Sequence, residues 1–247
     1  MRTVVLIPTY NNETTICDVV RRCLLLHQDV MVVCDGCTDN TLTLLRQMRE
    51  TQAFFIVSYS KNKGKGTALK IGFKKALEMG YTHALTLDAD GQHYPEDIPT
   101  LLNAGEKNPQ AIIVGSRSFG DDNMPGGNVF ANKFSNFWFT VQTLQCLPDT
   151  QTGFRLYPLR KIGGLRVLTS RYEAELEILV FSAWRGTKLI PVSVNVYYPS
   201  PEARVTHFRP GRDFARISIL NTILCLLAIV YGGPKILINY LAKKIKS

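Results

Sequence analysis

The sequence lacks most of the signatures that reveal a protein's chemistry at first reading. Of 247 residues only four are histidine and two tryptophan, and the six cysteines fall at irregular spacing. The one C-x-x-C, Cys34 to Cys37, has no second pair and no histidine pair to complete a zinc site, and the Asp-Gly between its thiols reads as turn chemistry. With no N-terminal signal peptide ahead of the first apolar run, the expected setting is a reducing cytoplasm with free thiols. The stretch "KNKGKG" is not a Walker A loop, because Tyr59 stands where the first glycine belongs and Gly66 where Ser or Thr belongs. No G-x-G-x-x-G turn follows the first apolar run, which argues against a dinucleotide-binding Rossmann domain. An EF-hand fails on spacing, since Pro99 stands where its bidentate Glu would be. The longest apolar-dominated run, "ISILNTILCLLAIVY", holds about 15 residues, short of the ~20 that cross a bilayer unless its helix extends back to Phe214. Acidic residues are also scarce, 20 against 29 Lys and Arg, for a net charge of +9.

That charge points to an anionic partner: nucleic acid, an acidic membrane surface or a phosphorylated small molecule. Nucleic acid fits worst. The basic residues cluster with glycines and an apolar helix and do not alternate with aromatics along one face.

What the chain does have is a regular alternation of elements in its first half. "TVVLIP", "VMVVC", "AFFIVSY", "HALTL" and "AIIVG" are apolar runs of strand length, and between them Ile16, Val19, Val20 and Cys23, then Leu42 and Leu45, then Ala68, Leu69, Gly72 and Phe73 recur at helical spacing. Asp39 is placed to cap the second helix, and "PEDIPTLLNA" reads as a fourth. Strands buried on both faces and separated by helices predict an α/β fold with a mostly parallel sheet and helices on each side. Ligands of such sheets bind beyond the carboxyl ends of the strands. Here those ends read "PTYNNE", "DGCTDN", "SKNKGKG", "DADGQH" and "GSR", five polar segments converging on one edge.

In "LTLDADGQH", Asp88 and Asp90 lie two residues apart and Gln92 continues the alternation, a set of hard oxygen donors suited to Mg²⁺ or Mn²⁺. A solvated Asp-Gly turn is the plain alternative. In "KNKGKGTALKIGF", Gly64 and Gly66 permit close backbone approach, a helix N-terminus follows, and Lys61, Lys63 and Lys65 add charge, so a phosphate is expected there unless this is only a solvated basic helix start.

Together, "VVLIPTYNNE", "VVCDGCTDNT", "KNKGKGTALKIGF", "LTLDADGQH", "VGSR" and "DTQTGFRLYP" resemble, in order and spacing, family 2 glycosyltransferases of the GT-A fold, most of all the polyprenyl-phosphate branch typified by dolichol-phosphate mannose synthases. The resemblance implies nucleotide-sugar contacts at Pro8, Thr9, Tyr10, Asn12, Glu13, Asp35, Lys65, Asp88 and Ala89, with Pro8, Tyr10 and Asp35 lining the base and ribose. It implies a metal held by Asp88, Asp90 and Gln92, acceptor or phosphate contacts from Arg117, Arg155, His207, Arg209 and Arg212, and catalytic roles for Asp90, Arg117, Asp149 and Arg209. The sequence departs from the family at Asn12, where Glu is common, at Cys37, where Ser is common, and at Cys34, which replaces a frequent acidic residue or Asn.

Loss of a diphosphate builds negative charge that a divalent ion and nearby cations stabilise, and attack from the opposite face inverts the sugar. A lipid-phosphate acceptor is already anionic and needs no strong base. For a hydroxyl acceptor Asp149 is the position to test, its alternative being a loop carboxylate paired with Arg155. "RYEAELEILVFSAWRG" reads as an amphipathic helix with Glu173 and Glu175 on its solvated or packed side, and "LIPVSVNVYY" as a strand packed through Ile190, Val192, Val194 and Val196.

Residues 1–212 are thus expected to form the catalytic domain and 213–247 a membrane-associating appendage. In the appendage Ser218, Asn221, Thr222 and Cys225 share one helical side, and "GGP" should break the first helix from the lysine-tipped "KILINYLAKKIKS". Both helices suit the cytoplasmic face of an anionic membrane, burial against the domain being the alternative. Transfer to a saccharide or lipid hydroxyl, and non-catalytic binding of a nucleotide sugar or lipid, remain competing functions. The sugar, the base and the oligomeric state stay open.

Overall fold

The computed structural model describes residues 1–27, 29–117, 126–165, 167–197 and 210–246. The expected alternation is present: β1 (Thr3–Thr9), α1 (Ile16–Leu26), β2 (Val30–Asp35), α2 (Thr41–Arg49), β3 (Phe55–Tyr59), α3 (Lys65–Glu78), β4 (His83–Thr86), α4 (Ile98–Lys107) and β5 (Ile112–Arg117). A 3-10 turn at Pro95–Asp97 leads into α4. Then come α5 (Gly126–Thr143), β6 (Arg155–Pro158), α6 (Leu159–Ile162), α7 (Glu173–Trp184), β7 (Leu189–Val194), α8 (Pro210–Leu227) and α9 (Gly233–Lys246).

The seven strands form one sheet in the order β3-β2-β1-β4-β6-β5-β7. All pairings are parallel except those of β6, which runs antiparallel to both β4 and β5. Residues of β1, β2 and β4 are buried throughout, as their unbroken apolar runs require. One core layer packs Leu6, Val33, Leu69 and Phe73 with α7 and α8 residues, and the other packs Val5, Ile7, Ile16, Val20 and Leu45. Each fully buried Leu, Ile or Phe contributes about 1.5–3 kcal/mol. Ile190, Val192 and Val194 of β7 all face the second layer, as alternation predicts.

Two expectations need correction. The helix α7 is not amphipathic: Glu173, Glu175 and Glu177 are buried along with its apolar residues. It lies between α3 and the later helices, so every side is covered, and Glu175 and Glu177 have partners there. Glu177, for one, accepts hydrogen bonds from the Leu168 and Thr169 amides at 2.6 and 2.9 Å.

Nor does "GGP" break the C-terminal helix. A π-helical turn at Ala228–Gly232 joins α8 to α9, and Ala215–Ala242 forms a continuous apolar helix of 28 residues, long enough by length and composition to cross a membrane. Pro234 has no amide to offer its ladder, and the wider turn absorbs the mismatch. The expected boundary at 212/213 falls inside α8.

The polar side of that helix is turned inward. Asn221 is buried against α5, where the Gln142 amide donates to its Oδ1 at 3.1 Å and to Cys225 Sγ at 3.5 Å. Trp184 Nε1 donates to the Gln142 carbonyl at 2.7 Å, and Asn239 Nδ2 to the Trp184 carbonyl at 3.1 Å. The outward side is apolar and exposed, with Ile219, Ile223, Leu226, Ile229, Val230, Leu237, Ile238 and Leu241 uncovered. Thr222, on the same side, turns its hydroxyl back to the Ser218 carbonyl.

Candidate active site

The carboxyl ends of β1, β2, β4 and β5 meet as expected, and the antiparallel β6 brings the "DTQTGF" segment there too, by a strand direction no local pattern announced. Because β6 runs the other way, its N-terminal loop, Asp149–Phe154, arrives at the same edge. Thr86 Oγ1 donates to the Gly153 carbonyl at 2.7 Å, and a Cβ on Gly153 would lie 2.4 Å from Asp88 Oδ2. Only glycine lets this loop lie against the Asp88 carboxylate.

Asp88, Asp90 and Gln92 are half-buried while Ala89 and His93 are buried, so the three oxygen-bearing side chains share the open side of the turn. Gln92 N donates to Asp90 Oδ1 at 3.0 Å. The loop is held from the segment after β7, since the Tyr197 amide donates to the Gln92 carbonyl at 2.8 Å. Among the described residues no three His, Cys, Asp or Glu side chains form a metal cluster. The oxygens of Asp88, Asp90 and Gln92 are of the kind that could hold a hard divalent ion.

Lys65, the first residue of α3, places Nζ 2.6 Å from Asp88 Oδ1 and 2.8 Å from Glu175 Oε2. Burial alone would lower the Lys65 pKa, but the two carboxylates outweigh it and raise it. Burial likewise pushes Asp88 up, and the Lys65 ammonium more than offsets that, holding it below the ordinary carboxylate range. Asp88 is therefore ionised at neutral pH.

Arg117, at the end of β5, forms a fork with Asp149, Nε to Oδ2 at 2.5 Å and Nη2 to Oδ1 at 2.9 Å. Asp149 is fully buried and also accepts from Asn132 Nδ2 at 2.7 Å and from the Gln151 and Thr152 amides. Burial raises its pKa, but the guanidinium and these donors win and lower it. Arg155 is not the partner of Asp149. It is fully buried and donates to the Glu175 and Thr150 carbonyls at 2.8 and 2.9 Å and to Tyr157 Oη at 3.1 Å. It braces β6 against α7.

The nucleotide side is more tied down than the sequence implied. Asp35 is buried, and its oxygens accept the Lys63 and Gly64 amides at 2.6 and 2.7 Å. Those amides, expected to face a phosphate, hold the loop onto β2. Gly64 takes φ +91°, a conformation that favours glycine. Gly66 admits α7, for a Cβ there would lie 2.3 Å from that of Ala174.

Thr9 Oγ1 donates to Asn12 Oδ1 at 3.1 Å, and both residues are buried. Glu13 Oε2 accepts the Asn40 amide at 2.9 Å, and Asp39 caps α2 through the Thr41 amide. Pro8 and Ala89 are buried, while Tyr10 is partly open. The six cysteines are free, with Cys37 Sγ 3.7 Å from the Thr9 carbonyl. His207 and Arg209 lie outside the described residues, as does the side chain of Arg212.

Two site residues had gone unassigned. Glu175 was placed on the solvated or packed side of its helix, and it is packed, with its side chain on Lys65. His93 sits beside Phe154, ring centroids 5.4 Å apart, with its buried Nδ1 lacking a hydrogen-bond partner. Burial lowers its pKa to about 4, Asp88 pulling the other way. Its place directly after Gln92 was the available signal.

An acidic turn, a lysine and a braced arginine at the carboxyl edge of a mostly parallel sheet match the layout of a glycosyltransferase of the GT-A fold. The family model described as glycosyl transferase family 2 matches residues 4–157, and the chain belongs to that family and is a glycosyltransferase. It is 28% identical over 237 residues to the UDP-N-acetylglucosamine--dolichyl-phosphate N-acetylglucosaminyltransferase of Methanococcus voltae, covering 87% of this chain and 94% of the relative. It is 30% identical to the polyprenol monophosphomannose synthase of Mycolicibacterium smegmatis, covering 78% and 76% respectively. Among solved structures, glucosyl-3-phosphoglycerate synthase from Mycobacterium tuberculosis with Mn²⁺, uridine diphosphate and glucosyl-3-phosphoglycerate shares the fold at TM-score 0.66 and 18% identity, covering 92% of this chain and 79% of that one.

Proposed function

We infer that the chain transfers a sugar from a nucleoside-diphosphate sugar to a polyprenyl phosphate at the cytoplasmic face of a membrane, with inversion, and with Mg²⁺ or Mn²⁺ held by Asp88, Asp90 and Gln92. The observation that carries this is the pairing of Lys65 with Asp88 and of Arg117 with Asp149 at the carboxyl edge of the sheet, in a domain whose C-terminal helix turns an exposed apolar face outward. The names of the relatives support the same acceptor class.

A bound divalent ion supplies Lewis-acid stabilisation of the departing diphosphate. The chain's own residues do the rest. Lys65 brings an ammonium to the Asp88 side of the cleft, where it counters the charge of the leaving group. Arg117, kept in one orientation by its fork to Asp149, presents fixed positive charge to a phosphate. The basic segment holding His207, Arg209 and Arg212 supplies further cations. An acceptor phosphate is anionic at neutral pH, so no side chain has to remove a proton. Asp149 suits a brace better than a base, because its oxygens are engaged and its pKa is lowered.

The long helix is read as lying in the membrane interface. It stays docked from Leu220 and Asn221 to Asn239, whereas a spanning helix would leave the domain. Its outward apolar face fits the acyl boundary, and its terminal lysines fit anionic headgroups.

The test is transfer from radiolabelled UDP-, GDP- and CDP-sugars to polyprenyl phosphate. The expected product is alkali-stable and labile to mild acid. Label found only as an O-glycoside of a hydroxyl acceptor, or donor binding without turnover across an acceptor panel, would defeat the reading.

A further inference from the structure

The Lys65 ammonium has two carboxylate partners of different standing. Asp88 lies in the acidic turn after β4, at 2.6 Å, and Glu175 lies on α7, at 2.8 Å. Side-chain exposures of 17% for Lys65 and 8% for Glu175 leave little water to replace either contact. The positions are fixed by backbone, because α3 and α7 approach closely enough that a Cβ on Gly66 would strike Ala174. The main chain of Glu175 is fixed as well, its carbonyl accepting from Arg155 at 2.8 Å. Its second carboxylate oxygen is buried without a hydrogen-bond partner, so among the described residues Lys65 is the cation its side chain pairs with.

A cation thus already sits on Asp88. A divalent ion coming to the same carboxylate has to share it with the ammonium or displace it. The cost of that step depends on whether Lys65 has another anion to rest on. Glu175 is that anion, and it stands on a different element from the acidic turn. If Glu175 were uncharged, Lys65 would bind Asp88 alone and compete harder.

We propose that Glu175 is a positioning residue that retains the Lys65 ammonium when Asp88 takes up a divalent cation, keeping it in the cleft to meet the donor diphosphate. This rests on the reading that Asp88 and Asp90 hold the metal. It gives the two members of the pair opposite effects. Loss of the Glu175 charge weakens binding of the divalent ion. Loss of the Lys65 charge strengthens it and weakens binding of the diphosphate.

The experiment titrates Mn²⁺ alone into the full chain in detergent, following the signal of free Mn²⁺ by electron paramagnetic resonance, and then titrates UDP and GDP at saturating Mn²⁺. Glu175→Gln is expected to weaken Mn²⁺ binding and Lys65→Met to tighten it, each on the order of tenfold, as for one unit charge a few ångströms away. Lys65→Met should weaken nucleotide binding by a similar factor. In the Lys65→Met background, Glu175→Gln should weaken Mn²⁺ binding less than in the wild type, because the competitor is gone and only the direct attraction of the carboxylate is lost.

A merely structural ion pair would give losses of the same sign for both ligands in both variants, which overturns the proposal. So does an unchanged Mn²⁺ affinity in Lys65→Met, a measurement that stands even if Glu175→Gln does not fold. Wild-type Mn²⁺ binding that survives Asp88→Asn overturns the metal assignment itself. Asp88-dependent binding indifferent to both variants overturns only the role of Glu175.

Discussion

Arg117 and Asp149, 32 residues apart, meet as a two-bonded fork at the carboxyl edge of the sheet, with Asp149 fully buried beneath it. Removing one charge of such a pair strands the other, so Asp149→Asn should cost about 3 kcal/mol of stability. Sugar transfer should fall by roughly a hundredfold as Arg117 loses its orientation. Denaturant melts and the pH profile of kcat/KM check this: the profile should drop uniformly, whereas loss of its acid limb would make Asp149 a base.

Asp90→Asn should abolish the part of the donor-induced rise in melting temperature that depends on Mn²⁺, since ligand binding to the folded state alone raises its apparent stability. Thermal shift with UDP-, GDP- and CDP-sugars, with and without Mn²⁺, measures it. A rise equal to that of the wild type would remove Asp90 from the ligand set.

His93, lowered to about 4 by burial against an ordinary value of 6.5, binds its proton more readily unfolded than folded. Stability from this group is present above pH 6.5 and is lost as pH falls from 6.5 towards 4, about 3 kcal/mol in full. The carboxylates of Asp88 and Asp149, held low, titrate beneath that window. Metal-free wild type should therefore lose more stability across it than His93→Gln, as read by urea melts at several pH values; parallel curves would contradict the assignment.

A Cβ on Gly232 would lie 2.4 Å from Trp184 Cε2. Gly232→Ala should push the long helix off α7, at a cost of about 1–3 kcal/mol. Limited proteolysis should then cut within residues 215–242 sooner than in the wild type, and an unchanged cleavage pattern would show that the contact does not hold the helix.

Leu226, Ile229 and Val230 are 62%, 74% and 73% exposed on the outward face. Changing all three to Ser should leave the melting temperature within a few degrees but cut co-sedimentation with phosphatidylglycerol vesicles by at least about tenfold, given ~1.5 kcal/mol or more for each large apolar side chain buried. Vesicle binding equal to the wild type would place the membrane contact elsewhere.

Much of the molecule was legible before any coordinate. The five apolar runs, the helices between them and the polar strand ends are local patterns, and period-2 or period-3.6 spacing reports them directly. The acidic turn of Asp88, Asp90 and Gln92 was readable because all three sit within five residues on one element. The α7 acids were misread because a helix buried on every side has no polar face to show, and three glutamates imitate one. The C-terminal helix was misjudged at one point, since Gly-Gly-Pro breaks helices on average but here is absorbed by a π turn, and of the two settings open to Asn221 and Cys225 the structure has them against the domain.

The sequence by itself determined which elements form and at which edge of the sheet chemistry can gather, because these follow from neighbours along the chain. Only the tertiary structure decided that β6 runs backwards and carries Asp149 to Arg117, that Arg155 turns inward, and that Lys65 lies between Asp88 and Glu175. Each of these pairings joins residues 20 or more positions apart through packing, and the choice of partner across such a gap is set by which surfaces fit together, a property no short window of sequence contains.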